Sequence, residues 1–157
     1  MAEEMGGPYV SIAAFCQTAL TESTRQLSII RILDQVTIQI PKLPPGAKLP
    51  AGVTLPVPPA QITMVIVLKS GLYKGKATIK MQPRSPTGKD LPVAQFPTLL
   101  EGEERGIQVV MPMAIVFQEE GVYWFDVGLE NPPMLLTRVP LRVMHYEVPI
   151  QQMEIPS

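Results

Sequence analysis

Prolines constrain this chain more than any other feature of its sequence. There are 18 of them in 157 residues, about twice the usual share of ~5%. Proline lacks the backbone N–H that a helix interior needs, and its ring clashes with the preceding turn. They are spread so that no helical pattern runs uninterrupted. The apolar runs between them are short and rich in isoleucine and valine, which predicts an all-β fold.

Seven or eight short segments alternate between apolar and polar residues, as strands do. They predict an antiparallel β-sandwich of seven to eight strands, immunoglobulin-like or jelly-roll-like. A single domain is expected over residues 9–146, with a flexible N-terminus at 1–8 and a C-terminal tail at 147–157. A Pro-rich stretch at 41–60 has neither helical nor strand period and is expected to be a long loop.

The densest apolar stretch, residues 109–129, is predicted to form a β-hairpin. Both halves alternate at a period of two, and a three-residue loop at 119–121 would put both apolar sets on one face. Gly121 suits the third loop position, because that position requires a positive φ. In this register Trp124 lies opposite Val116 on the other face.

That other face is the first candidate site, a possible interaction surface formed by Trp124, Val116 and Val122. An outward tryptophan beside two valines fits a surface that binds a protein or stacks on a sugar. The alternative is that the Pro-rich loop or the C-terminal tail covers it. Exposure of Trp124 in the folded protein distinguishes these two interpretations.

A basic run supplies the second candidate site, a possible anion patch formed by Lys74, Lys76 and Lys80. Such a patch could bind nucleic acid or anionic lipid. The alternative is that these lysines form the solvent face of a strand and protect a sheet edge against aggregation. The formal net charge of −1 argues against nucleic-acid binding, so no nucleic-acid partner is expected.

Charge is unevenly distributed along the chain. Residues 23–100 carry ten bases and two acids, whereas residues 101–157 carry nine acids and three bases. Either strands from the two regions pair, so that opposite charges are neighbours, or the domain has one basic and one acidic side.

The composition offers few residues that could form a catalytic or metal site. The chain has one cysteine, Cys16, and one histidine, His145. A nucleophile needs a neighbouring base, and Cys16 has the character of a small core residue. One Cys and one His are too few for a zinc site, and neither a calcium-loop spacing nor a Gly-rich phosphate loop is present. We therefore predict no catalytic residues, metal or cofactor, and no enzymatic activity.

The first residues, M-A-E-E-M-G-G-P, have neither the basic nor the apolar region of a secretory signal. No apolar run approaches the ~18–20 residues of a membrane span, so no transmembrane segment is expected. A lone cysteine cannot form an intramolecular disulfide. A cytoplasmic location is therefore expected.

Several motifs follow one another in a recognisable order over residues 9–145. They are F-C-Q at the end of the first strand, Q-L-S-I-I-R-I-L-D-Q-V, the turn P-R-S-P-T-G-K after a lysine-flanked strand, and V-F-Q-E-E-G-V-Y-W-F-D-V. This order resembles a group of small bacterial β-sandwich proteins known only as a domain of unknown function. The resemblance implies a bacterial cytosolic origin and a sandwich fold, and brings no catalytic residue or ligand. Two departures are Gln17, where the group would have an acid, and the long stretch at 41–60.

The function predicted from these observations is a non-enzymatic protein-interaction module that binds an unknown protein partner or itself. The alternative is a carbohydrate- or anionic-lipid-binding sandwich domain.

Overall fold

A computed structural model describes residues 6–130 and 133–150, and the regular elements in these ranges are strands. They are β1 (Tyr9–Thr21), β2 (Leu27–Leu33), β3 (Gln35–Lys42), β4 (Ala60–Arg84), β5 (Ala94–Ile115), β6 (Gly121–Leu129) and β7 (Met134–Pro149). The predicted all-β fold of seven to eight strands is confirmed. β7 continues past the predicted start of the tail at 147, and residues 1–5 and 151–157 lie outside the described ranges.

The longest strands, β4 and β5, form one antiparallel ribbon that runs from Ala60 opposite Ile115 to Met81 opposite Ala94. The ribbon bends at its middle, where its register shifts and where Gly71, Gly75 and Gly102 all have positive φ. Glycine adopts this backbone conformation without steric cost, and extra residues in one strand increase its local bend. The bend places the two halves of the ribbon in two different layers.

Each half of the ribbon carries further strands. The first half of β4 pairs with β1, which pairs with β2, and the second half pairs with β6, followed by β7 and β3. The strand order is therefore β2-β1-β4-β6-β7-β3, with β5 on the other edge of β4. The pairs are antiparallel except β3–β7, which is parallel. The sandwich is thus one continuous sheet folded on itself.

The main core lies between the two layers. Phe15 of β1 meets Phe125 of β6 edge to face, with ring centroids 4.6 Å apart. Burial follows the expected period of two, since Tyr123, Phe125 and Val127 are buried along β6 while Trp124 is exposed.

The hairpin predicted over residues 109–129 is wrong. β5 and β6 are consecutive but do not pair, because β5 pairs with β4, and β6 pairs with β4 and β7. Alternation specifies the face on which a side chain lies, but not the strand that lies beside it. Phe117 and Tyr123 still meet, with ring centroids 4.7 Å apart, although they are not partners in a ladder.

The far part of the β1–β2 hairpin folds back over the outer side of the first layer. Arg31, at the bend, has a φ of 56°. Thr21 and Arg25 consequently border the same small depression as Val67 and Lys69. The contact forms a second, minor cluster, in which Ala19, Leu27 and Ile29 pack on Cys16, Val65 and Val67.

Residues 43–59 join β3 to β4 without a regular element. Val57 in this connection packs against the main core, so the Pro-rich loop is anchored to the sandwich near its end.

Candidate functional site

Trp124 lies on the outer face of the second layer and is 45% exposed. In the sheet it stands between Arg84 of β4 and Pro140 of β7. Its strand neighbours, Tyr123 and Phe125, point into the core, so the period of two directs the indole outward.

The structure keeps two members of the predicted interaction surface together and separates the third. Val122 lies on the same face of β6 as Trp124 and is half-buried. Val116 follows the end of β5 in the first layer, where it borders a separate apolar groove with Met111 and Leu91. The predicted pairing of Val116 with Trp124 is therefore wrong, because β5 pairs with β4 rather than with β6.

Two arginines flank Trp124, and both form ion pairs with Asp126. Arg84 Nη1 lies 3.3 Å from Asp126 Oδ2, and Arg138 Nε lies 3.1 Å from Oδ1. Oδ1 receives no hydrogen bond of good geometry from the residues that the structure describes, so its contact with Arg138 is ionic. The Asp126 side chain is only 12% exposed, whereas the two arginine side chains are 45% and 56% exposed. The carboxylate thus orients the guanidinium groups, which retain N–H donors facing solvent.

The turn after β4 forms one wall beside Trp124. Gly88 N donates to the Ser85 carbonyl over 2.9 Å, and Lys89 N donates to Ser85 Oγ over 3.0 Å. The Thr87 hydroxyl donates to the Glu119 carboxylate at 2.9 Å, which ties the turn to the β5–β6 connection. Together the turn and the strands enclose a depression of about 340 Å³, lined by Arg84, Ser85, Pro86, Gly88, Trp124, Asp126 and Arg138.

A second depression of about 410 Å³ adjoins the first and shares Arg84 and Asp126 with it. Its floor includes Gly128, and its borders include Lys80 and the exposed Leu135. Because the two depressions share residues, they form one shallow groove along β6. We call this feature the β6 groove.

The predicted anion patch is only partly assembled. Lys76 and Lys80 lie on the outer face of β4, with Ala77 and Ile79 buried between them. Lys74 lies at the ribbon bend, where its side chain covers Gly102: a Cβ added to that glycine would be 2.7 Å from Lys74 Cε. Lys74 is thus directed toward the bend rather than the groove.

Sequence reasoning did not place Arg84, Arg138 and Arg142 beside the lysines of the predicted anion patch. Arg138 and Arg142 alternate outward on β7, and Arg84 ends β4, but no pattern in the sequence shows that β4, β6 and β7 are neighbours. Within residues 6–130 and 133–150, the ion pairs made by these arginines are those to Asp126 and Asp90. The basic face consists of Lys76, Lys80, Arg84, Arg138 and Arg142.

Cys16 and His145 have different surroundings. Burial raises the pKa of the Cys16 thiol, which packs on Val65 and Val67 at the outer side of the first layer. His145 Nε2 lies 2.9 Å from the Phe117 carbonyl oxygen. A neutral, buried thiol is a poor nucleophile, and the imidazole is engaged by the backbone.

In the part of the chain that the structure describes, no group of three His, Cys, Asp or Glu residues is placed so that it could bind a metal ion. No helix in the same ranges is long and apolar enough to cross a membrane.

Comparison with solved structures adds a distant structural neighbour. No protein-family model matches the chain, and no curated protein matches it. Among solved structures, an immunoglobulin-like protein from Pseudomonas aeruginosa is similar at a TM-score of 0.37 and 16% sequence identity, over 88% of this chain and 98% of that one. A similarity this distant does not bear on function, and the resemblance to the bacterial domain of unknown function stays a prediction.

Proposed function

We propose that this chain is a non-enzymatic protein-interaction module that binds its partner through the face around Trp124. The observation that carries the proposal is the exposure of this indole, 45%, on a strand whose adjacent aromatic residues are buried. Tryptophan buries a large apolar area when a partner covers it. A water-facing tryptophan in the middle of a sheet therefore offers substantial binding energy.

The residues around Trp124 support the same conclusion. Tryptophan and arginine are the residue types most enriched among those that dominate interface energetics. Here Arg84 and Arg138 border the indole and are held in place by Asp126. Because their orientation is fixed before binding, less side-chain entropy is lost when a partner engages them.

The test is affinity capture from a cell lysate with wild-type protein and the Trp124→Ala variant, followed by mass spectrometry. Tyr9→Ala is the matched control, since Tyr9 is an aromatic residue with 50% exposure in the other layer. We expect a partner that wild type and Tyr9→Ala retain and Trp124→Ala loses, with all three proteins equally stable in urea. Equal capture by all three would refute the role of this face. If the partner is a second copy of this chain, the mass measured by sedimentation would rise with protein concentration.

The second candidate function is binding of carbohydrate or anionic lipid, and the basic face favours the lipid. Lys76, Lys80 and Arg142 lie on that face with Trp124, a residue type enriched at membrane interfaces. Cosedimentation with vesicles of phosphatidylserine and phosphatidylcholine, against phosphatidylcholine alone, tests it. Salt-sensitive binding to the anionic vesicles alone would support this function. A glycan array tests binding of carbohydrate, which should be insensitive to salt.

A further inference from the structure

We propose that the β6 groove recognises an extended acidic segment of a protein partner, in which two apolar side chains flank carboxylates. This inference rests on the proposed function and names the chemistry of the partner. It is carried by three observations: the charge of the face, the spacing of its cations, and the two depressions that meet at Asp126.

The charge of the groove selects for an anion. Three cationic side chains line it, those of Lys80, Arg84 and Arg138, and Arg142 lies beside it on β7, opposite Val122. Of its two carboxylates, Asp126 is largely buried beneath Arg84 and Arg138, and Asp90 at the rim is paired with Arg84 at 3.3 Å. Lys80 and Arg142 have no carboxylate within ion-pair distance among the residues the structure describes. A partner with acidic groups would be attracted and one with basic groups repelled.

The cations stand in two rows that match an extended chain. Lys80 and Arg84 are four residues apart on the part of β4 that pairs with β6, or about 13 Å at ~3.3 Å per residue. Arg138 and Arg142 repeat this interval on β7, two strand spacings away, or roughly 10 Å. β6 lies between the rows. An extended peptide lying along β6 would place alternate side chains toward the sheet and carry carboxylates at the same interval.

The two depressions provide places for apolar side chains. One lies beside Trp124 and Pro86, and the other beside Leu135 and Gly128, with Lys80 and Asp90 also among its lining residues. Trp124 and Gly128 are four residues apart on β6, so the two places are also separated by about 13 Å. Apolar residues at positions i and i+4 of an extended peptide would reach both, and a carboxylate at i+2 would lie over Arg84 and Arg138.

The shape of the groove favours a peptide over a bilayer. The Ser85–Lys89 turn forms a wall beside Trp124, and the groove floor lies below it. A lipid surface is broad and would rest on the wall and rims of a groove, whereas a single extended chain can lie along its floor.

The emission of Trp124, the only tryptophan of the chain, reports directly on this site. The probe is the acetylated, amidated peptide Ser-Glu-Leu-Glu-Glu-Glu-Leu-Glu-Ser, and its two controls replace either every Glu by Gln or both Leu by Ser. We expect a saturable shift of the emission with the first peptide and at least about tenfold weaker binding of each control. Added salt should weaken binding of the acidic peptide.

Matched variants test the position of the site. Arg138→Gln removes one cation of the groove, and Lys48→Gln removes one from the exposed Pro-rich loop, so both lower the net charge equally. Weaker peptide binding by Arg138→Gln alone supports the inference. Equal binding of the Glu and Gln peptides, equal effects of the two substitutions, or binding only to anionic vesicles would overturn it. If the acidic peptide does not bind but Trp124→Ala still loses a captured partner, the proposed interaction module is supported and the proposal of an acidic partner is refuted.

Discussion

The side chain of Tyr123 holds the connection between β5 and β6 in place. Its ring is buried against Phe117, and its hydroxyl donates to the Glu119 carbonyl at 2.8 Å while accepting from Glu119 N at 3.1 Å. One hydroxyl thus satisfies both backbone groups of a residue four positions upstream. The connection leads directly into the strand that carries Trp124, so this contact positions the candidate site.

Replacing Tyr123 with Phe should lower the free energy of unfolding by about 1–3 kcal/mol, because two backbone groups lose their partner in a partly buried place. Tyr73→Phe is the control, since its hydroxyl also bonds a backbone carbonyl, that of Lys76, but at an exposed position. Urea denaturation measures both. Equal losses for the two variants would contradict the special role of Tyr123.

Cys16 should make stability depend on pH in the alkaline range. Burial raises the pKa of its thiol above the usual value of about 8.5. The contribution of the neutral thiol is therefore complete below pH ~8.5 and is lost as the pH rises towards the raised pKa, by at most about 1.4 kcal/mol per pH unit. Urea midpoints measured from pH 7 to 9.5 should fall more steeply for wild type than for Cys16→Ala. Parallel curves would show that the thiol is not responsible.

Among the elements, β5 shows how far sequence reasoning reaches. The alternation over residues 109–129 predicts which side chains face inward, and Met111, Met113 and Phe117 are indeed more buried than Pro112. The glycine- and charge-rich segment 101–106 has the composition of a polar loop, whereas in the structure it is the bend of the ribbon. A bulged strand and a loop use the same residue types. The β6 groove was unpredictable for a related reason: its cations come from strands whose adjacency is a property of the folded sheet.

β5 is also an edge strand, since among the strands that the structure describes it pairs with β4 alone. Residues 107–118 carry no charge, so the protection against edge-to-edge pairing falls to Pro112, which has no N–H to offer a second strand. Pro112→Val should increase self-association, seen as larger species in size-exclusion chromatography and faster thioflavin response. Pro92→Val, in the exposed loop before β5, is the control. An unchanged elution profile for Pro112→Val would count against this role.

At the scale of the whole molecule, the bend of the β4–β5 ribbon brings the two layers together. Gly106 lies at this bend, opposite Lys69. A Cβ added there would be 1.8 Å from the Leu68 carbonyl oxygen, which belongs to the backbone and cannot move aside without opening the ribbon. The close approach of the two strands therefore depends on this glycine.

Gly106→Ala should destabilise the protein by more than about 2 kcal/mol, the range of substitutions that force backbone strain. Gly7→Ala serves as the comparison, because a Cβ at Gly7 meets nothing within 4 Å. Thermal unfolding followed by circular dichroism measures both variants. A melting temperature unchanged by Gly106→Ala would mean that the bend tolerates a wider separation of its strands.

The way the chain enters and leaves the sandwich has a mechanical consequence. β1 begins at Tyr9, opposite Lys69 beside the ribbon bend, whereas β7 ends at Pro149, beyond the opposite end of β6. A pull on these two ends acts along the strands rather than across them. The ladders joining β1 to β4 and β6 to β7 would then be loaded in shear, so that many hydrogen bonds must break together instead of one at a time. A pull applied between these two ends would therefore be resisted by whole ladders rather than by single hydrogen bonds.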